Sequence, residues 1–527
     1  MKLARRRLII LWAAGAAIIV VALVILAGRV PFSSETLRKR VIATLSERLD
    51  AEVELGEVTL RALPSLHAEG QNLVIHHKGR RDVPPLISVK TVTIDASVLG
   101  LWRKHVAHVD LRGLDIQIPP NDHSDDSRAD DKDRAVSTAG RRNARDPVRE
   151  VVIDEVVADE ATLTILPRKV GKNPKVWYMH ELHVNSVSAA TKMPFRTYLT
   201  NAVPPGQIDT TGSFGPWERD DPGRTPVDGQ FTFDHADLSV FKGISGILGA
   251  HGSYGGSLER IDVKGETTTP DFMVKISGHT VPLETKYHAI VDGTNGDTTL
   301  EQIDATFLQT ALVAKGGVYD VKGVPGRVVT LDVDIEKGRL EDIMRLAVKA
   351  NEPPMTGGLT LKTKFELPPG DVDVVEKLKL DGAFAISGGR FTNAEVQKKI
   401  NELSHRASAK DLDTTRQKVA SDFSGRFQLA NGALALQKLT FDVPGAIIEL
   451  DGQYSLREES LSFVGNLYMD AKVSETVSGW KSLLLKAVDP LFRKSGRTVI
   501  PLKISGARSN PSFGLDTKRV FRPEAKD

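Results

Sequence analysis

Residues 329–336 read Val-Thr-Leu-Asp-Val-Asp-Ile-Glu, and residues 359–367 read Leu-Thr-Leu-Lys-Thr-Lys-Phe-Glu-Leu. Both alternate apolar and polar side chains with a period of two, which puts one dry and one wet face on an extended strand. Such one-sided strands belong to antiparallel sheets, because strands of all-parallel sheets are buried on both faces and read as unbroken apolar runs. A third example sets Leu461, Phe463, Gly465, Leu467 and Met469 on one side of residues 461–469. Outward from these segments the period holds for most of the chain after Glu52, punctuated by turn pairs such as Asp228-Gly229, Asn431-Gly432 and Pro444-Gly445.

Glycine followed two residues later by an aromatic recurs at Gly212–Phe214, Gly229–Phe231, Gly252–Tyr254, Gly317–Tyr319, Gly382–Phe384, Gly425–Phe427 and Gly452–Tyr454. The irregular spacing excludes a short-period solenoid. Glycine inside a strand marks a bend or bulge, so the repeat predicts a succession of hairpins curved in one sense. The expected fold is mainly β: a long curved antiparallel sheet with a few short amphipathic helices. Its dry face is either sealed in sandwich cores or left open as an elongated apolar groove, and alternation alone does not separate the two. The groove reading assigns its lining to Leu331, Val333, Leu359, Leu361, Phe365, Phe384, Ile386, Leu450 and Phe463.

Helical periodicity is confined to four places. Residues 34–49 carry Leu37, Val41, Leu45 and Leu49 on one face, with Ser33 or Ser34 as cap. Residues 340–349 form a short helix. Asn393 caps 394–405, where Val396, Ile400 and Leu403 share a face, and residues 474–488 carry Val477, Trp480, Leu484 and Val488.

Residues 8–27, LIILWAAGAAIIVVALVILA, hold no charge. At 1.5 Å per residue they reach about 30 Å, one hydrocarbon thickness. Lys2, Arg5, Arg6 and Arg7 precede the run, so the positive-inside bias predicts a single transmembrane anchor with a cytoplasmic N-terminus. Residues 121–147 mix both charges densely around one large aliphatic residue, Val136, and read as a charged linker or loop. The expected organisation is a stub and anchor at 1–30, a helix and β unit at 31–120, the linker at 121–147, a middle β region at 148–376 and a C-terminal β region with two helices at 377–527.

The chain of 527 residues has no cysteine, which excludes disulfides, thiolate catalysis and iron–sulfur chemistry. Lys and Arg total 70 against 68 Asp and Glu, a net charge of +2 that gives no field for nucleic acid. No nucleophile elbow, phosphate-binding loop or dinucleotide fingerprint occurs. His180-Glu181-Leu182-His183 has the wrong spacing for a zinc-protease helix and lies in a strand, where residues three apart face opposite ways. His76-His77 and the pair His105 and His108 share that defect, and the carboxylates mostly occupy wet positions. The basic run Arg38-Lys39-Arg40 reads as a solvated helix face. The reading is therefore no enzyme, no metal and no cofactor.

Residues 51–75, AEVELGEVTLRALPSLHAEGQNLVI, following the anchor and the 34–49 helix, resemble the start of bacterial AsmA-like proteins, as does PLISVKTVTIDASVLGLWRKHVAHVDLRGLDIQIP at 85–119. The C-terminal part, from LDGAFAISGGRF through LDGQYSL to IPLKISGARSNPSF, is similar to the AsmA C-terminal region. The resemblance covers 8–120 and 378–515. It implies an inner-membrane anchor, a periplasmic body of repeated β units and kinship with TamB-type and bridge-like lipid-transfer proteins. Its implied function is to carry phospholipid along the groove toward the outer membrane in outer-membrane biogenesis. The implied partners are acyl chains, the inner membrane and outer-membrane or periplasmic assembly proteins. The alternative is a structural factor for outer-membrane protein insertion that binds no lipid. Drawing two sixteen-carbon chains through water costs on the order of 25 kcal/mol, which an apolar groove largely removes without a catalytic residue.

Overall fold

The computed structural model describes residues 34–49, 51–61, 66–76, 84–97, 100, 103, 105–118, 152–165, 175–188, 191–216, 218, 222–293, 295–321, 326–370, 372–408, 419–472, 493–494, 497–507 and 512–516. The anchor at 8–27, the charged stretch at 121–147, the Pro64-Ser65 step and the 474–488 helix lie outside the described residues. Among the described residues, twenty-six strands belong to one sheet. The helices are few: α1 (Ser34–Leu49), α2 (Leu340–Ala347), α3 (Val374–Lys377) and α4 (Ala394–Ser408). The ladder is open, since among the described residues no pairing joins the last strand, Ser512–Leu515, to the first ones. The chain divides into two compact units, one of 1–236, 249–263 and 291–295, the other of 237–248, 264–290 and 296–527.

In the first unit, strands Leu66–Ile75, Ile87–Ala96 and His105–Ile118 pair antiparallel in succession, as do Val152–Ile165, Lys175–Val187 and Met193–Asn201. Between the two sets the direction changes. His105–Ile118 pairs with Val152–Ile165 in parallel, His105 opposite Val152 and Ile118 opposite Ile165. The sheet is therefore mixed, which corrects the antiparallel expectation. A parallel pair needs a crossover connection, and residues 119–151, which contain the charged stretch, join these two strands. Alternation could not reveal this, because it reports that a strand has a wet face and is silent on direction.

Four strands of this unit change parity in step. Leu66 and Ala68 are buried on even positions, then Leu73 and Ile75 on odd ones, and likewise Ile87 and Val89 give way to Val92 and Ile94. The same switch separates Val109 from Leu114 and Ala158 from Ala161. Asn72 (φ 49°), Gly113 (φ 62°) and Glu160 (φ 54°) stand at the switches. An extra residue in a strand flips every later side chain to the other face, so matching bulges keep one dry face across neighbours. Val41 and Leu45 of α1, 1% and 0% exposed, close that face.

In the second unit, strands Arg327–Arg339, Met355–Leu367, Lys379–Phe391, Ser421–Ala430, Ala433–Val443, Ala446–Ser455, Ser460–Met469 and Arg497–Ala507 pair antiparallel in chain order. Helices α2 and α4 are inserted between consecutive strands of this run, both at the same end. Asn393 Oδ1 caps α4, accepting from the amides of Glu395 and Val396. Ile400 and Leu403 pack on the core as expected, whereas Val396 is exposed. Gln397 takes the inner position because its amide oxygen accepts from Phe391 N and its NH₂ donates to Asn401 and to the Val419 carbonyl.

Candidate functional site: the apolar face of strands 327–507

Register builds this face row by row, since directly opposed residues of paired strands point to the same side. One row runs Leu331, Phe365, Leu380, Leu429, Leu434, Tyr454 and Leu461 across seven strands. A second, four residues along, includes Ile335, Leu361 and Phe384 on one side and Leu439, Leu450 and Leu502 on the other. A third, nearest the helices, runs Leu359, Ile386, Phe423, Phe441, Ile448 and Leu467.

All nine residues assigned to the lining from the sequence stand on this one face. Three are buried: Leu359 at 6%, Ile386 at 7% and Leu450 at 9% exposure. Leu331, Val333, Leu361, Phe365, Phe384 and Phe463 are only half-buried. Several other residues of the same face, Leu380, Phe427, Leu434 and Leu439 among them, were missed by sequence reading. Their signal is the same alternation, recoverable once the register of each hairpin is known.

The glycine–aromatic repeat acquires a physical role here. Gly382 opposes Phe427 and Phe384 opposes Gly425, so two copies of the motif lie antiparallel and each ring stands opposite the other copy's glycine. The two rings are 6.2 Å apart. Gly452 also stands opposite a ring, that of Phe463, which belongs to no copy of the motif. A Cβ at Gly382 would sit 2.2 Å from the Lys362 carbonyl oxygen, so the neighbouring strand approaches too closely for any side chain.

The opposite face is polar. Asp332, Lys364, Asp381 and Gln428 form a row on it, with Gln428 donating to Asp381 at 3.2 Å. Lys362 pairs with Asp334 at 2.9 Å and Lys379 with Glu366 at 2.7 Å. The hydrogen bond that Lys362 donates to Asp334 holds its ammonium above the ordinary range. These are solvated pairs that confer solubility and little stability.

Titratable side chains gather elsewhere, on the wet face of the first unit. Glu155 lies 3.0 Å from His108 Nδ1 and 3.4 Å from His183 Nδ1. The other nitrogens face Asp110 at 3.2 Å and Glu181 at 2.5 Å. His183, rather than His180, joins this network, since His180 turns to Thr200. The Glu181 hydrogen bond raises the His183 imidazole above its ordinary range. Each ring nitrogen of His108 and His183 already faces a carboxylate oxygen, Glu155 serving both rings, and among the described residues no group of His, Cys, Asp or Glu is arranged to hold a metal ion. A cavity of about 20 Å³ beneath Val41 and Leu45 has room for little more than a water and is a packing gap in the core.

No family model, no curated protein and no solved structure matches the chain. Among the described residues no helix is long and apolar enough to cross a membrane.

Proposed function

We propose that this chain is an AsmA-like protein, anchored in the bacterial inner membrane by residues 8–27 with its body in the periplasm. In this reading the apolar face is a curved groove that carries phospholipid acyl chains toward the outer membrane. The observation that carries it is the row from Leu331 to Leu461, apolar across seven strands and mostly half-buried. Water over such a surface costs about 25 cal/mol per Å², so a contiguous face of this kind calls for an apolar occupant. An acyl chain satisfies it without needing hydrogen bonds, and no nucleophile, metal or cofactor enters the function. The test is mass spectrometry of lipid co-purifying with residues 31–527 prepared without detergent. Stoichiometric phospholipid is expected, and a lipid-free, monomeric, folded protein overturns the reading.

The alternative, a scaffold for outer-membrane protein insertion with no lipid, draws support from the first unit, where α1 and the strands seal a core needing no ligand. Full assembly activity from a variant that holds no lipid would favour it.

A further inference from the structure

The two sides of this apolar face differ, and the difference bears on how an amphiphile would lie on it. At one end of the strands, α2 and α4 cover the face. Leu340, Ile343 and Met344 pack over Met355, Leu359 and Ile386, while Ala407, Ile400 and Leu403 pack over Phe441, Val443 and Leu467. At the other end the 431–432 and 456–459 connections are short turns, Asn431 (φ 52°) and Gly432 (φ 69°) allowing the first, while the longer 368–378 connection carries α3, which belongs to neither of those two apolar clusters. Near those turns Leu331, Phe365, Leu434, Leu461 and Phe463 stay half-buried.

The helical wall is stitched down by polar contacts. The Asp342 carboxylate accepts from the Gln309 amide at 3.0 Å and the Thr310 hydroxyl at 2.8 Å, and Glu341 accepts from Gly357 N at 3.1 Å. Ser404, fully buried, donates to the Pro444 carbonyl at 2.7 Å, and Ala471 N donates to Ala407 O at 2.9 Å. Lifting either helix would leave buried Asp342, Gln397 and Ser404 without partners, so these helices are walls and not gates.

We infer that an amphiphile on this face rides on the hairpin-turn half, its polar end emerging over the turns and never over α2 or α4. The inference rests on the lipid reading above and adds an orientation to it. The physical reason is that the open rows still lack apolar neighbours, whereas the row from Leu359 to Leu467 already has them, and a headgroup stays in water only where no helix roofs the sheet.

The chain lacks cysteine, so single labels can be placed at will. Full-length protein carrying a fluorophore at Glu458→Cys, in the turn after Ala446–Ser455, or at Lys399→Cys, on the exposed side of α4, is loaded with phosphatidylcholine bearing a nitroxide on its headgroup. A ten-residue strand separates the two ends by roughly 33 Å, beyond contact quenching, so roughly half the emission at 458 and under about a tenth at 399 should be lost. Both sites are exposed, so neither label threatens the fold. Retained lipid with equal quenching, or stronger quenching at 399, overturns the orientation and leaves the lipid reading standing. Failure of the folded protein to retain any lipid removes both.

Discussion

Strands 66–118 of the first unit and strands 327–469 of the second carry the same alternation, yet they end differently. In the first, Ile75, Val106 and Val109 are 2%, 0% and 1% exposed, under a helix that contributes Val41 and Leu45. In the second, Ile335 at 1% and Leu359 at 6% are buried, yet Leu331 and Val333, on the strand of Ile335, and Phe365, on that of Leu359, remain half-buried. An alternating strand demands that one face leave water but does not specify what covers it. Where α1 supplies the cover, the result is a core; where α2 and α4 cover only one end, the rows at the other end stay half-buried.

The contrast breaks hardest at Leu45. A carboxylate there is buried without a partner, so Leu45→Asp should cost more than about 3 kcal/mol, and Leu45→Ala about 2–5 kcal/mol. Urea unfolding followed by proteolytic cutting within residues 66–118 measures this. Leu331→Ala, by the same assay within 327–367, should cost about 1 kcal/mol or less, because the side chain is only partly removed from water. Equal costs at the two positions would mean that the second face is as sealed as the first.

Next in size is the pair Leu331→Asp with Phe365→Asp. On an open face the charges stay hydrated, so circular dichroism should show an unchanged fold while co-purifying lipid drops by about tenfold, the factor that 1.4 kcal/mol carries. Collapse of the fold would place these side chains in a closed core.

A smaller effect tests the reciprocal glycine–aromatic pairs. Phe384→Leu and Phe427→Leu together should cost less than the sum of the singles, with a coupling of about 0.5–1.5 kcal/mol if the two rings support each other. Strict additivity would reduce the motif to two independent residues.

The smallest effect is the pH dependence of the first unit. The folded His183 value is raised, so its stabilisation is complete below the unfolded imidazole range and is lost as pH rises through the higher folded value. His183 is about a third exposed, so solvent screens the pair and the loss should be about 0.5 kcal/mol, seen as a lower unfolding midpoint when the buffer moves from about pH 6 to about pH 8. His183→Gln should flatten that slope. A midpoint that rises with pH would show that the network does not act through this imidazole.

Much of this was legible beforehand. The three segments at 329–336, 359–367 and 461–469 are strands, the helices at 34–49, 340–347 and 394–408 lie where periodicity placed them, and the nine residues that the groove reading assigned share one face. The misreadings have physical causes. Val396 looked like a core position because it is apolar, but Gln397 won the inner place by satisfying the backbone at Phe391 and Val419. The parallel pair was invisible because direction leaves no mark in a one-sided strand. The parity switches at Asn72, Gly113 and Glu160 were hidden because a bulge looks locally like a lapse in the pattern.

Period is a local property, written into the chain by which neighbouring side chains avoid water, and so the sequence alone determined that this protein is built of strands with one apolar side. What meets that side depends on pairings between residues far apart and on a burial force without direction. Only the tertiary structure could decide that α1 seals one sheet face while, among the described residues, α2 and α4 cover only one end of another.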